Sequence, residues 1–189
     1  MKRSLGAKTL IYPVPVWVIA SYDQAGKPNA MTASWAGVCC SKPPCVAVSL
    51  RKATYTYGCL MHRRAFTVNV PSQEQVAIAD YLGVASGRRE DKLAAAGLTA
   101  VRSSLVDAPY LEEFALILEC RVIHVLEIGL HTLFVGEILD VKADPAVLDE
   151  RGMPIVEKIR PFVYAPELQR YHRVAEVIAK AFDVDHGTR

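Results

Sequence analysis

Residues 29–37 read NAMTASWAG. They sit where the chain is building a strand, yet they hold small and hydroxyl side chains and one tryptophan, too little to pack a core. Alternation along a strand sends Thr32 and Ser34 to one face and Met31, Ala33 and Trp35 to the other, so one face offers hydroxyls and the other apolar contact. A strand that is mostly backbone suits a flat heteroaromatic ring, because backbone N–H groups can meet ring heteroatoms and small side chains let the ring come close.

The flanking elements set the fold class. Upstream, VPVWVIA at 14–20 is strand-like, and the intervening SYDQAGKPN carries Gly and Pro where a hairpin turn needs them. Downstream, CVAVSL at 45–50 and FTVNV at 66–70 are short β-branched runs ended by charge or proline. SQEQVAIADYLG at 72–83 then predicts a helix, with Ser72 as N-cap, Gln75 as its capping-box partner and Gly83 as the stop. A second helix is expected over 89–97.

Two long strands follow, at 114–126 and 132–143. In the first, Leu116, Leu118, Cys120, Val122, His124 and Leu126 share one face by the period-2 rule, and Glu119 and Arg121 share the other; this reads His124 as a core histidine. Near the end, Leu168, Tyr171, Ala175, Ile178 and Phe182 are spaced 3, 4, 3 and 4, which predicts a helix starting near Pro166. Many short strands with a few helices predict a mainly β, α+β fold: an antiparallel Greek-key barrel with helices at its ends, in one domain over residues 1–189.

With 22 Lys plus Arg against 20 Asp plus Glu, the charge is too balanced to advertise a nucleic-acid or membrane surface, so neither partner is expected. The richest apolar run, LIYPVPVWVIASY at 10–22, is too short to span a bilayer and is broken by two prolines. The basic N-terminus lacks a clean apolar stretch and a small-residue cleavage site, and five cysteines show no disulfide framework. These features point to the cytoplasm. VCCSKPPC at 38–45 lacks the paired C-x-x-C units of a zinc site, so no metal is expected, while Cys39 and Cys40 are candidates for redox sensitivity.

After the small-residue strand comes SLRKATYTYG at 49–58, where Ser49, Arg51, Lys52, Thr54 and Thr56 place hydroxyls and a guanidinium within ten residues. A phosphate needs several convergent donors of this kind, and a helix opening at YTYGCLMH would add its dipole. A ring slot beside phosphate donors suggests a mononucleotide such as FMN. The same residues also permit a plainer reading, a small-residue strand packed tightly under a helix.

The order of motifs is more specific than any one of them. NAMTASWAG, a PP pair, VAVSLRKATYTYG, FTVNVPS, SG with DK at 86–92, HTLFVGEI at 131–138 and the expected tyrosine-containing C-terminal helix resemble the flavin reductase-like family, and most of all its flavoredoxin branch. The resemblance covers most of residues 10–183. It implies an FMN-binding split β-barrel that forms homodimers.

It further implies that Met31, Thr32, Ala33, Ser34 and Trp35 line the isoalloxazine ring. Ser49, Leu50 and Arg51 would follow the ribityl chain, and Thr54 and Thr56 would bind the phosphate with charge from Lys92. His131 matches the family histidine beside the exposed flavin face, although Leu130 stands where an acidic residue usually precedes it. The implied activity is an oxidoreductase that takes hydride from NADH or NADPH, with His131 positioning the donor, and passes electrons to an acceptor. No G-x-G-x-x-G occurs, so a nicotinamide would have to stack on the flavin itself. The alternatives are an FMN electron carrier without NAD(P)H activity, and a barrel that has lost FMN.

Overall fold

The computed structural model describes residues 1–182. The hairpin at the start forms as expected: β2 (Trp17–Tyr22) pairs antiparallel with β3 (Pro28–Ala33) across the Asp23–Lys27 turn. The other strands of the main sheet are β4 (Ala36–Ser41), β5 (Pro44–Arg51), β6 (Ala65–Asn69), β9 (Leu116–Ile128) and β10 (His131–Ala143). They lie in the order β3-β2-β6-β9-β10-β5-β4, every pair antiparallel.

That order explains the barrel. β3 and β4 are the two outer edges of a seven-stranded sheet, yet only Ser34 and Trp35 separate them in the chain. The edges must therefore come together, and the sheet curls into a barrel that stays split between β3 and β4. The Trp35 carbonyl accepts the Ser49 N–H at 2.8 Å, which ties this corner to β5. β4, which the sequence pattern did not suggest, is the strand that this geometry adds.

β2 is buried on both faces. Inward, Ile19 meets Val46, Val48, Leu60, Phe66, Val68 and Phe134, all fully buried in the barrel. Outward, Val18 and Ala20 meet Ala30, Leu111 and, on α2 (Val76–Val84), Ala79 and Leu82. Each large side chain sealed in this way contributes about 1.5–3 kcal/mol. Gly136 on β10 leaves room for the Phe66 ring, which a Cβ there would meet at 2.5 Å.

Two helices flank this frame: α1 (Tyr55–Arg63), which follows β5, and α2, whose preceding turn holds the Ser72–Gln75 capping box. The expected second helix shrinks to α3 (Lys92–Ala95), capped by Asp91. β7 (Ala100–Arg102) and β8 (Pro109–Leu111) form a small ribbon beyond it, and a short α4 (Val156–Ile159) precedes the last strands.

Three expectations are corrected. The helix expected from Pro166 is absent: β12 (Arg170–Arg173) pairs with β11 (Phe162–Ala165), which pairs with β1 (Val14–Pro15), and residues 174–182 form no regular element. Aromatic packing overrides the helical spacing. Tyr171 lies edge-on to Phe162 at 5.3 Å and against Tyr164 at 5.1 Å, and its hydroxyl donates to Asp80 at 2.8 Å.

On β9, Glu119 is fully buried and pairs with Lys142 at 2.6 Å, whereas His124 is exposed. Ile123 is an extra residue on β9 between the Val135–His124 and Gly136–Val122 pairs, and it turns His124 away from the face of Cys120 and Val122. Glu119 keeps the face that alternation gives it, the one away from Cys120, and is buried because that face is covered where Ile117 packs with Leu111 and Phe114. Finally, β9 and β10 run through most of the segment read as a connection, leaving Gly129 and Leu130 as the turn.

Candidate functional site

The site is built where the barrel's split meets the start of α1. Thr54 is the N-cap: its hydroxyl accepts the Tyr57 N–H at 3.3 Å and donates to the Arg51 carbonyl at 2.9 Å. No acidic residue sits in the first turn, so the positive end of the helix is left for an anion. One turn position on, the buried Thr56 hydroxyl accepts the Asn29 amide at 2.8 Å, joining α1 to β3.

A cavity of about 200 Å³ opens against these groups, lined by Met31, Thr54, Thr56, Ser86, Gly87 and Lys92 among others. Lys92 is 4% exposed and donates one hydrogen bond, to the Leu82 carbonyl at 3.0 Å. No carboxylate of the described residues pairs with it. Burial lowers its pKa to about 8, against a small opposing pull from Glu90 and Cys59. A buried ammonium with spare protons at the edge of a hydroxyl-lined cavity is a receptor for an anion.

The loop after α2 completes the cradle. A Cβ on Gly87 would strike Asn29 Oδ1 and come within 2.7 Å of the Tyr55 ring, so only glycine lets this loop close on β3 and α1. Asn29 Oδ1 is buried and has no protein partner, which leaves an acceptor in the same wall. Arg88 donates to the Ala53 carbonyl at 2.7 Å and lies 5.8 Å from the Tyr55 ring centre. The Tyr55 hydroxyl donates to Asp23 at 2.7 Å, and that bond first, then burial, pushes its pKa up to about 12.

A second group lies along the adjoining strand ends. His131 opens β10 directly opposite Arg51 on β5, and its ring meets Trp35 edge-on with 6.2 Å between centres. Trp35 is 39% exposed and Arg51 is exposed, so both present surface for a ligand at the mouth of the barrel. Ser34 and Ser49 are half-buried.

The residues expected from sequence thus divide by what the structure leaves them to offer. Met31, Thr54, Thr56 and Lys92 come together around the cavity, and Trp35, Ser49, Arg51 and His131 come together beside it. Leu50 and Ala33 send their side chains into the barrel, so only their backbone can face a ligand. The Thr32 hydroxyl donates to the Ala79 carbonyl and fastens α2 to β3. Asn29, Tyr55, Ser86, Gly87 and Arg88 were not assigned a role from sequence. Asn29, Tyr55, Ser86 and Gly87 could have been, since each stands inside a quoted motif.

Among the described residues, no group of three or more His, Cys, Asp or Glu is arranged to hold a metal ion, and no helix is long and apolar enough to cross a membrane.

Comparison with known proteins fits this geometry. The profile of the flavin reductase like domain matches residues 9–174. The structure of flavoredoxin from Desulfovibrio vulgaris (Miyazaki F) superimposes with a TM-score of 0.92 at 50% identity, covering 97% of this chain and 98% of that one. An FMN-binding protein from Thermus thermophilus superimposes with a TM-score of 0.79 at 26% identity, over 95% and 97% of the two chains. The reductase component of a 4-nitrophenol 4-monooxygenase/4-nitrocatechol 2-monooxygenase from Rhodococcus opacus is 30% identical over 67% of this chain and 63% of its own length.

Proposed function

The chain belongs to the flavin reductase like domain family, and we propose that it binds FMN in this cleft and passes electrons through it, using NADH or NADPH as donor. The observation that carries the reading is Lys92, a buried cation without a carboxylate partner, facing a cavity walled by Thr54, Thr56 and the N-terminus of α1. These groups fit a phosphate monoester: a charge, a helix end and hydroxyls converge on one small space. The unpartnered Asn29 Oδ1 offers an acceptor to a ligand hydroxyl in the same wall.

Bound FMN would supply the two-electron chemistry, accepting hydride and releasing electrons one or two at a time. The protein's part is to hold and to orient. Lys92 and the Thr54 cap hold the phosphate, the backbone from Met31 to Trp35 reads the ring edge, and Ser49 and Arg51 span the space between. Trp35 and His131 border the open face, where His131 positions the nicotinamide. A nearby guanidinium such as Arg51 favours an anionic reduced ring and so raises the tendency to accept electrons.

Two copies pairing as a homodimer is part of this proposal, supported by Val177 and Ile178, which are 72% and 97% exposed beyond β12. Removing residues 174–189 should leave a monomer in sedimentation; an unchanged dimer would refute that part.

A second reading, an electron carrier served by a protein donor, is favoured by one feature. Leu126, Ile128 and Leu130 are exposed at the β9–β10 turn next to His131, an apolar surface that a protein donor would cover. An anaerobic absorbance titration separates the two. FMN bands that shift on binding and bleach at once with NADH or NADPH establish the reductase. Bands that bleach only with dithionite establish the carrier, and unshifted bands refute FMN binding.

A further inference from the structure

We propose that Cys40 and Cys45 form a redox-active dithiol on the surface of the barrel, a thiol–disulfide exchange site separate from the flavin cleft. It lies on the β4–β5 hairpin, the outer edge of the main sheet. The two residues are direct partners in the antiparallel register, Cys40 opposite Cys45.

Directly opposed residues in such a pair have Cα atoms about 4.5–5.5 Å apart, which falls inside the roughly 4.4–6.8 Å window of disulfides. Their side chains project to the same face, so the sulfurs can meet without moving the backbone far. β4 is paired on one side only, so it can yield the small shift that closure needs.

The two thiols differ in the way an exchange site requires. Cys40 is exposed and Cys45 is 2% exposed, with its Sγ–H directed to the Pro43 carbonyl at 3.4 Å. Burial pushes the Cys45 thiol up, and the neighbouring Cys40 and Cys39 thiols and Glu137 add to the effect. Cys45 is therefore held as a thiol out of reach of solvent, and Cys40 is the sulfur that meets an oxidant first.

Cys39 is the extra residue where the register shifts between Val38 and Cys40, so no residue of β5 stands opposite it. That assigns the bond to Cys40 rather than to its neighbour. Cys59 and Cys120 are buried in the barrel core, where an external disulfide does not reach them. Burial first, and then the nearby Cys45 thiol, push the Cys120 thiol up, but β10 lies between their strands.

The oxidant is a low-molecular-weight disulfide such as glutathione disulfide. The Cys40 thiolate attacks one of its sulfurs, forming a mixed disulfide and expelling one glutathione thiolate. Cys45 then attacks the Cys40 sulfur, and its proton passes to the second glutathione as that leaves. Two protein thiols are oxidised to one disulfide while one glutathione disulfide is reduced to two thiols. Closure cross-links the free edge strand to β5, a few residues from the Trp35 corner, and an excess of glutathione reverses it.

The test treats the folded full-length protein with glutathione disulfide, traps free thiols in acid, and maps the product by intact mass and peptide analysis. The expected result is loss of two hydrogens with Cys40 and Cys45 in one linked peptide pair. Cys39→Ser should behave as the unsubstituted protein, and Cys45→Ser should stop at one retained glutathione on Cys40. Three results would overturn the proposal: a stable glutathione adduct on Cys40 of the unsubstituted protein, a bond involving Cys39, or no reaction while the protein is folded. FMN is not needed for any arm, so failure here leaves the reading of the cleft untouched.

Discussion

Replacing Lys92 with methionine separates the cost of its charge from its use. The side chain is 4% exposed with one carbonyl partner, and burial lowers its pKa from 10.5 to about 8. A depressed folded-state pKa on a base means that the charged form is disfavoured in the fold. Between about pH 8 and 10.5 the unfolded chain holds more protons at this position, so stability should rise with pH across that window. The full effect is on the order of 3 kcal/mol, and about half of that remains a safe expectation once water entering through the cavity is allowed for.

For a chain of this size each 1 kcal/mol moves the melting midpoint by about 2–4 °C, so the ligand-free protein should gain a few degrees between pH 8 and 10. Lys92→Met should already have that gain at pH 7 and show none of the rise from this source. Comparing the two proteins cancels the tyrosines and cysteines that titrate in the same window. FMN should bind the variant about 10-fold to 100-fold more weakly, the equivalent of a charge-assisted hydrogen bond of about 1.5–3 kcal/mol. Scanning calorimetry against pH, with and without FMN, reads both effects. A variant that is no more stable at pH 7 and binds FMN as before would refute the account of the cavity.

Other substitutions probe the frame. Gly87→Ala forces a Cβ onto Asn29 Oδ1 and the Tyr55 ring, and should loosen FMN in a fluorescence titration while lowering stability by about 1–3 kcal/mol; an unchanged Kd would show that the loop does not close the cleft. Gly136→Ala meets the Phe66 ring at 2.5 Å inside the barrel and should cost a similar amount in a urea melt, with Phe66→Leu restoring part of it. Lys142→Met strands the fully buried Glu119 carboxylate and should destabilise by about 3–5 kcal/mol, whereas Lys142→Met with Glu119→Leu should recover most of the loss. A double variant as unstable as the single one would show that lost packing of the Lys142 stem, rather than the stranded charge, sets the cost.

What was legible in the sequence followed from local rules with a single strong reading. The β2–β3 hairpin announced itself through Gly26 and Pro28 at the turn, and the capping box of Ser72 and Gln75 marked the approach to α2. The period-2 reading of β9 held as far as Val122 and failed at His124, which the extra residue Ile123 turns outward; Glu119 stays on its expected face, which packing from distant parts of the chain covers. The spacing from Leu168 to Phe182 failed for another reason. A helix there would have had to outweigh three aromatic rings and the Tyr171–Asp80 hydrogen bond, and those contacts belong to residues far apart in the chain.

The small side chains of NAMTASWAG have a topological reason that no local rule contains. Ser34 and Trp35 are the only residues between the two edges of the sheet, so this stretch must close the barrel as well as face the cleft. Bulky side chains would obstruct both tasks. Small residues let β3 pass under α2, where Thr32 spends its hydroxyl on the Ala79 carbonyl, and leave the backbone at the corner free to meet a ligand. The Trp35 carbonyl is already committed to the Ser49 N–H, so its ring is what the corner exposes. The duties therefore divide: Thr32 fastens a wall, Thr54 caps α1 and so presents the helix end to the cavity, and Lys92, Asn29 Oδ1 and the exposed backbone are what those walls hold in place.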